Sequence, residues 1–120
     1  MYNVFTYKDK NGNSPIDSYL NTLMSKNDKN SRINANKILE YVAYLEKYGV
    51  QAREPYAKHI GGDIWELRPI RNRILYAAWD GSSFILLHLF KKNTQKTPQR
   101  EIEQAKRNLT DIRKRGIDNE

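Results

Sequence analysis

The sequence predicts an α+β domain: a small antiparallel or mixed sheet of about four strands, an N-terminal helical hairpin packed on one face, and a C-terminal helix. Three observations carry this. Two stretches in the first half repeat apolar residues at three- and four-residue steps. A β-rich run from Trp65 to Phe90 is broken by a hairpin signal at Asp80-Gly81. A last amphipathic stretch opens at Thr97-Pro98. Consecutive helices joined by a short polar link pack together on a sheet more readily than they stand alone. The 120 residues are expected to form a single domain, the size at which domains cluster.

Taken in order, Val4 to Tyr7 is rich in β-formers and ends at the turn-like Asp9-Lys10-Asn11-Gly12-Asn13. Ser14-Pro15 opens the first helix, with serine as N-cap, proline in the first turn and Asp17 at the positive end of the dipole. It carries Ile16, Tyr19, Leu20, Leu23 and Met24 and should end near Ser25 to Asn27. The second helix starts near Asp28 or Ser31 and runs to about Tyr48, where Gly49 suits the C-terminal stop. Its expected buried stripe is Ile33, Ile38, Leu39, Val42 and Leu45. Val50 to Ile60, with Pro55 in its middle, reads as irregular. Thr97 is the expected N-cap of the last helix, which buries Ile102, Ala105, Leu109 and Ile112 and can end at Gly116.

A two-residue loop at Asp80-Gly81 pairs Trp79 with Ser82, Leu75 with Leu86, and Arg73 with His88. A four-residue loop keeps the same residues on each face. One face then holds Ile74, Tyr76, Ala78, Ile85, Leu87 and Leu89, and should lie under the helical hairpin. The opposite face is apolar near Asp80, where the last helix would cover it. Its other end presents Arg73, His88 and Phe90, with Lys92 continuing the alternation. Setting Trp65 and Leu67 beside Ile74 and Tyr76 adds Glu66 and Arg68 to that end.

Composition narrows the function. The formal charge is +7, and residues 53–120 hold fourteen Lys and Arg against nine Asp and Glu. A basic single domain most often meets a polyanion, and nucleic acid is the commonest. The absence of cysteine and the presence of only two histidines argue against disulfides, thiolate chemistry and a transition-metal site. No metal or other cofactor is expected. No apolar run reaches the length of a membrane span, and the N-terminus turns polar too early for a signal peptide, so a cytoplasmic protein with no membrane partner is expected.

Between Trp65 and Pro98, Arg68, Arg71, Arg73, Lys91, Lys92 and Lys96 face only Glu66 and Asp80 as acids. Cations converging on one sheet face repel each other unless an anion sits among them, and arginine offers a planar fork for phosphate. Phe90 can stack on an unstacked base. The plainer alternative is a solvated face on which Glu66 pairs with Arg68 or Arg73. His88 is either an acid or base of the site or a hydrogen-bonded structural residue. Lys58, before Gly61-Gly62, either borders the site or sits in a plain loop. Gln95 and Lys96 lie where they can reach a phosphate backbone, beside a helix N-terminus whose dipole favours anions.

The runs G-D-I-W-E-L-R, N-R-I-L-Y, L-L-H-L-F-K-K-N-T-Q-K-T-P and E-I-E-Q-A-K-R, between about Lys58 and Arg107, resemble the RelE/ParE superfamily of bacterial toxins, nearest its HigB-like, phage-derived branch. The resemblance implies the toxin of a type II toxin–antitoxin pair, an endoribonuclease that cuts mRNA in the ribosomal decoding site without a metal. Attack by a ribose 2′-hydroxyl would leave a 2′,3′-cyclic phosphate and a free 5′-hydroxyl. It implies that Arg68 and Arg73 clamp the scissile phosphate, that Lys92 stabilises developing charge, and that Lys91 and Lys96 hold flanking phosphates or ribosomal RNA. Glu66 stands where some members carry a catalytic lysine, and no tyrosine follows the lysine pair. Glu66 as base and His88 or Lys92 as acid are roles their residue types permit. The implied partners are mRNA, the ribosome and an antitoxin with a helix-turn-helix domain, through which alone operator DNA is bound. A ParE-like inhibitor of DNA gyrase and a non-catalytic, phage-derived nucleic-acid-binding protein are the alternatives.

Overall fold

Two side-chain caps decide where the helical hairpin begins. In the computed structural model, which describes residues 1–117, the Ser14 hydroxyl accepts from the Asp17 N–H at 3.3 Å and opens α1 (Pro15–Ser25). The Asp28 carboxylate accepts from the N–H and the hydroxyl of Ser31 at 2.9 and 2.8 Å and opens α2 (Lys29–Tyr48). The buried stripe of α2 runs through Ser31, Ala35, Ile38 and Leu45, with Val42 packed beside it. Ile33 and Leu39, expected in that stripe, are 40% and 44% exposed. A continuous three-four spacing passes through Ala35 and misses them. At the far end Gly49 has φ 51°, and a Cβ there would lie 2.1 Å from the Tyr2 ring. Glycine is therefore required twice, by backbone and by space.

Five strands form one mixed sheet in the order β1-β5-β4-β3-β2. They are β1 (Asn3–Thr6), β2 (Ala57–Gly61), β3 (Ile64–Leu67), β4 (Asn72–Asp80) and β5 (Ser83–Lys91). Only β1 pairs in parallel, against β5. The expected irregular stretch thus contains a strand. Lys58 and His59 are exposed in it, so β2 lacks the apolar run by which strands are recognised.

The β4–β5 loop is Gly81-Ser82, since Asp80 pairs with Ser83, and the Asp80 carboxylate accepts from the Ser82 N–H at 2.9 Å. The ladder then slips twice, between Ala78 and Asp80 and between Leu75 and Tyr76. The first bulge adds Trp79 to β4 and the second adds Leu87 to β5, so the two cancel. Between them the faces of β5 are exchanged relative to the sequence reading. Phe84 and Leu86 lie under the hairpin; Ile85 and Leu87 lie on the opposite side. Beyond the second bulge the expected sets return, with Ile74 opposite Leu89 and Arg73 opposite Phe90.

Two cores result. One packs Ile16, Leu23, Ile38 and Leu45 of the hairpin on Leu67, Ile74, Tyr76, Phe84 and Leu86. The other packs α3 (Gln99–Arg115), through Ala105, Leu109 and Ile112, on Ile64, Leu75, Ala77, Ile85 and Leu87. Tyr7 joins the second core while its hydroxyl donates to Asp111 of α3. Asp111 also accepts from the Arg115 guanidinium, at 2.8 Å. No helix among the described residues is long and apolar enough to cross a membrane.

Gly49→Ala should cost about 2–4 kcal/mol, the sum of a forbidden backbone conformation and a displaced ring. A thermal melt checks it, and an unchanged midpoint would contradict the close approach of Tyr2. The bonds from Arg115 and then Tyr7 hold the Asp111 carboxyl at about 2, below its ordinary 3.8. A depressed carboxyl stabilises the fold above its unfolded-state value, and that contribution disappears as pH falls through the folded-state value. Asp111→Asn should therefore flatten the loss of stability between those two values while lowering stability at neutral pH. Denaturant unfolding across that range measures it.

Candidate phosphate-binding site

The basic end of the sheet is built around one buried carboxylate. Glu66 lies opposite Leu75 in the β3–β4 ladder, which turns its side chain to the α3 side, and it is 2% exposed. Burying an unpaired carboxylate costs several kcal/mol. Three neighbours offset this. The Thr97 hydroxyl donates to Oε2 at 2.7 Å. Arg68 Nε lies 3.6 Å and Arg73 Nε 4.0 Å from Oε1. Thr97 is thus not the helix cap that the sequence suggests. Pro98 occupies the cap position with no side-chain hydrogen bond, and α3 starts one residue later.

Arg73 is itself buried, 8% exposed, where an open sheet end was expected. Its Nη1 donates to the carbonyls of Ile70 and Asn72 at 3.0 and 2.8 Å. Ile70 has φ 51°, an unfavourable conformation for a β-branched residue. Arg73 therefore also braces the strained turn between β3 and β4. Burial first, and then the neighbouring Arg68, pull its pKa down; Glu66 opposes them. Arginine stays charged under such shifts. Arg68 reaches outward to Glu54, with Nη1 3.4 Å from Oε1. Its Nε is buried yet makes no hydrogen bond. Two guanidinium groups thus share one buried carboxylate while Arg68 also meets Glu54, and the excess positive charge at this end of the sheet comes from the exposed Lys58, Lys92 and Lys96.

The segment after β5 folds over this end. Arg73, Phe90 and Lys92 line a small recess with Gln95, Lys96, Thr97 and Pro98. It has room for about one water-sized group, near 10 Å³. A nucleotide cannot enter it as it stands. A phosphate would meet the cluster at the rim, where Lys92 and Lys96 meet solvent or border it.

The other expected residues divide. Lys58 stands opposite Glu66 in the β2–β3 ladder, so it borders the site from an edge strand. Lys91 pairs with Asn72, whose side chain accepts from Tyr19 of α1 at 3.1 Å; Lys91 is therefore on the hairpin side, away from Arg73 and Phe90. Arg71 is exposed and borders a surface hollow with Asn30, Ile33, Asn34 and Ile70, outside the cluster. Its carbonyl accepts from the Lys92 N–H at 2.7 Å. His88 comes to the α3 side, its Nε2 2.7 Å from Oε1 of Glu101. Its ring stacks on Phe90 with centroids 5.9 Å apart.

Thr97, Glu101 and Glu54 are the neighbours that sequence reasoning missed. A signal for Glu101 existed, because it lies four residues before Ala105 and shares the buried side of the helix. Thr97 was hidden by its good fit to a cap. Among the described residues no group of three or more His, Cys, Asp or Glu could hold a metal ion.

No match is found among curated proteins. Residues 24–110, well over half of the chain and the whole of the basic cluster, match the phage-derived protein Gp49-like family (DUF891), and the chain belongs to that family.

Proposed function

We propose that the protein is the toxin of a toxin–antitoxin pair and acts as a ribosome-dependent mRNA endonuclease. The observation that carries this reading is the convergence of Arg68, Arg73 and Lys92 at one end of the sheet, with one buried carboxylate between the two arginines. Preorganised cations aimed at a phosphate suit a reaction in which negative charge grows on phosphorus oxygens. A guanidinium fixed by two carbonyls is already oriented, and the segment after β5 has to move aside before a phosphate reaches it. Membership of a phage-derived family and the resemblance of the E-L-R, R-I-L-Y and F-K-K-N-T-Q-K-T-P runs to RelE/ParE toxins supply the reaction class.

In this reading Arg68 and Arg73 hold the scissile phosphate and Lys92 meets the charge that develops in the transition state. Phe90 supports the adjoining base, and Lys58, Gln95 and Lys96 hold flanking phosphates. Lys91 and Arg71, which lie off the cluster, can meet only more distant parts of the RNA or ribosome. Glu66 fits poorly as the base. Its two oxygens are committed to Thr97 and the arginines, and the side chain is 2% exposed. This activity requires a neutralising partner, since free toxin would arrest its own cell, and the resemblance to RelE/ParE toxins implies an antitoxin with a helix-turn-helix domain.

Lys92→Ala is the cleanest test, because Lys92 is exposed and supports none of the buried groups. It should lower cleavage about 10²-fold with an unchanged thermal midpoint. Arg73→Ala should lower both cleavage and stability, because Glu66 loses a partner. Mapping transcript 5′ ends after a short induction reads the activity. Cuts within translated codons support the nuclease, whereas broken DNA with intact mRNA would replace it with a gyrase poison.

A further inference from the structure

The second β-bulge re-aims one histidine. Along β5, Phe84 and Leu86 face the helical hairpin, and simple alternation would send His88 to the same side, under Ile74 and Tyr76. The slip between Leu75 and Tyr76 places Leu87 and His88 in succession on the α3 side, with His88 opposite Leu75. Bulges commonly re-aim a side chain beside a functional site. Here the consequence is that His88 joins Phe90 and Arg73 on one face.

From α3, Glu101 meets the ring, with Oε1 2.7 Å from Nε2. An ionised carboxylate can only accept, so the pairing puts the proton of the neutral ring on Nε2 and leaves the lone pair on Nδ1. No hydrogen bond among the described residues engages Nδ1. The side chain keeps 22% of its surface open. A ring whose far nitrogen is fixed by a carboxylate is held in one orientation and one tautomer. Phe90 stacks on the ring at 5.9 Å and also lines the recess with Arg73 and Lys92. Along the strand, His88 is two residues, roughly 7 Å, from Phe90.

We propose that His88 is the general base of the site and that Glu101 is the residue that positions it. The proposal rests on the nuclease reading above. His88 Nδ1 takes the proton of the ribose 2′-hydroxyl as the 2′-oxygen forms its bond to phosphorus, and the bond from phosphorus to the 5′-oxygen breaks. The leaving oxygen takes a proton from water, and the imidazolium returns one to solvent. The charged side chains on this side are Glu101 and, through its other oxygen at 3.8 Å, Arg100 from α3; Arg73 from β4; Glu66 from β3; Lys58 from β2; and Lys92 past the end of β5. Gln104 and Asn108 of α3 are neutral; Asn108 donates to the Leu87 carbonyl at 2.8 Å and so fastens the bulge to the helix.

The test is the pH profile of mRNA cleavage by the whole protein on translating ribosomes. The wild type should lose activity on the acid side with the slope of one proton. His88→Ala should lower the rate roughly 10²-fold or more and abolish that limb. Glu101→Gln should lower the rate, because the ring is no longer held in the Nε2–H tautomer, and Glu101→Asp should restore part of it. His59, the second histidine, bonds the Gly62 carbonyl at the far end of β2, and His59→Gln should leave the limb in place. In the free wild type, ¹⁵N spectra should show the Nε2–H tautomer of His88, a readout that no misfolded variant can blur. Cleavage by the wild type with an unchanged limb in His88→Ala, an unchanged rate in Glu101→Gln, or an Nδ1–H tautomer, would overturn the proposal and leave the nuclease standing. Absence of cleavage by the wild type would overturn the nuclease reading and the proposal together.

Discussion

A carboxylate that cannot leave the core organises this end of the molecule. Glu66 is 2% exposed on a short strand that runs into the basic turn holding Arg68 and Arg71. Desolvation is affordable only while its partners stay in place, so three separate segments are tied to it. Arg68 belongs to the turn after β3, Arg73 to the start of β4, and Thr97 to the segment entering α3. Removing one partner of such a buried group typically costs about 3–5 kcal/mol. The same bonds therefore serve the fold and hold the guanidinium groups in a fixed arrangement.

The bulges matter for a related reason. Between them, Phe84, Leu86, Ile85 and Leu87 exchange faces without any loss of apolar burial, because β5 is apolar on both sides there. A central strand covered on both faces tolerates such an exchange. At the basic end tolerance stops. Arg73, Phe90 and His88 cannot be swapped with Asn72, Leu89 and Leu87 without sending charge under the hairpin. The second bulge restores the register where the chemistry of the side chains first demands it.

The three helices, the caps of the first two and the existence of the hairpin were legible in the sequence because their signals are local: Ser14-Pro15, Asp28 and Gly49 act within a few residues of themselves, while the hairpin loop falls one residue later than expected, at Gly81-Ser82. The gathering of Glu66, Arg68, Arg73, His88, Phe90 and Lys92 was legible too, because two cancelling bulges preserve parity at that end. What could not be read was non-local. Nothing in Lys58-His59 marks an edge strand, since one side of its ladder is open and half its residues meet water. The depth of Arg73 depends on how the Lys92–Pro98 segment folds over it. Thr97 satisfies two roles equally well on paper, and only the position of Glu66 chooses between them.

That choice bears on how a site this closed can meet RNA. The recess beside Arg73 holds little more than a water-sized group, so a phosphate must either bind at its rim or displace the segment that roofs it. The segment from Lys92 to Lys96 is a poor structural lid. Its side chains are polar and largely exposed, and it is fastened near its two ends, by the Lys92 N–H on the Arg71 carbonyl and by the Thr97 hydroxyl on Glu66. An arriving phosphate offers Lys92 and Lys96 the charge they lack, while Glu66 keeps the Thr97 bond that anchors α3. The roof can therefore shift without unfolding the helix beneath it, and Glu101, one turn inside α3, keeps its hold on His88 as it does so.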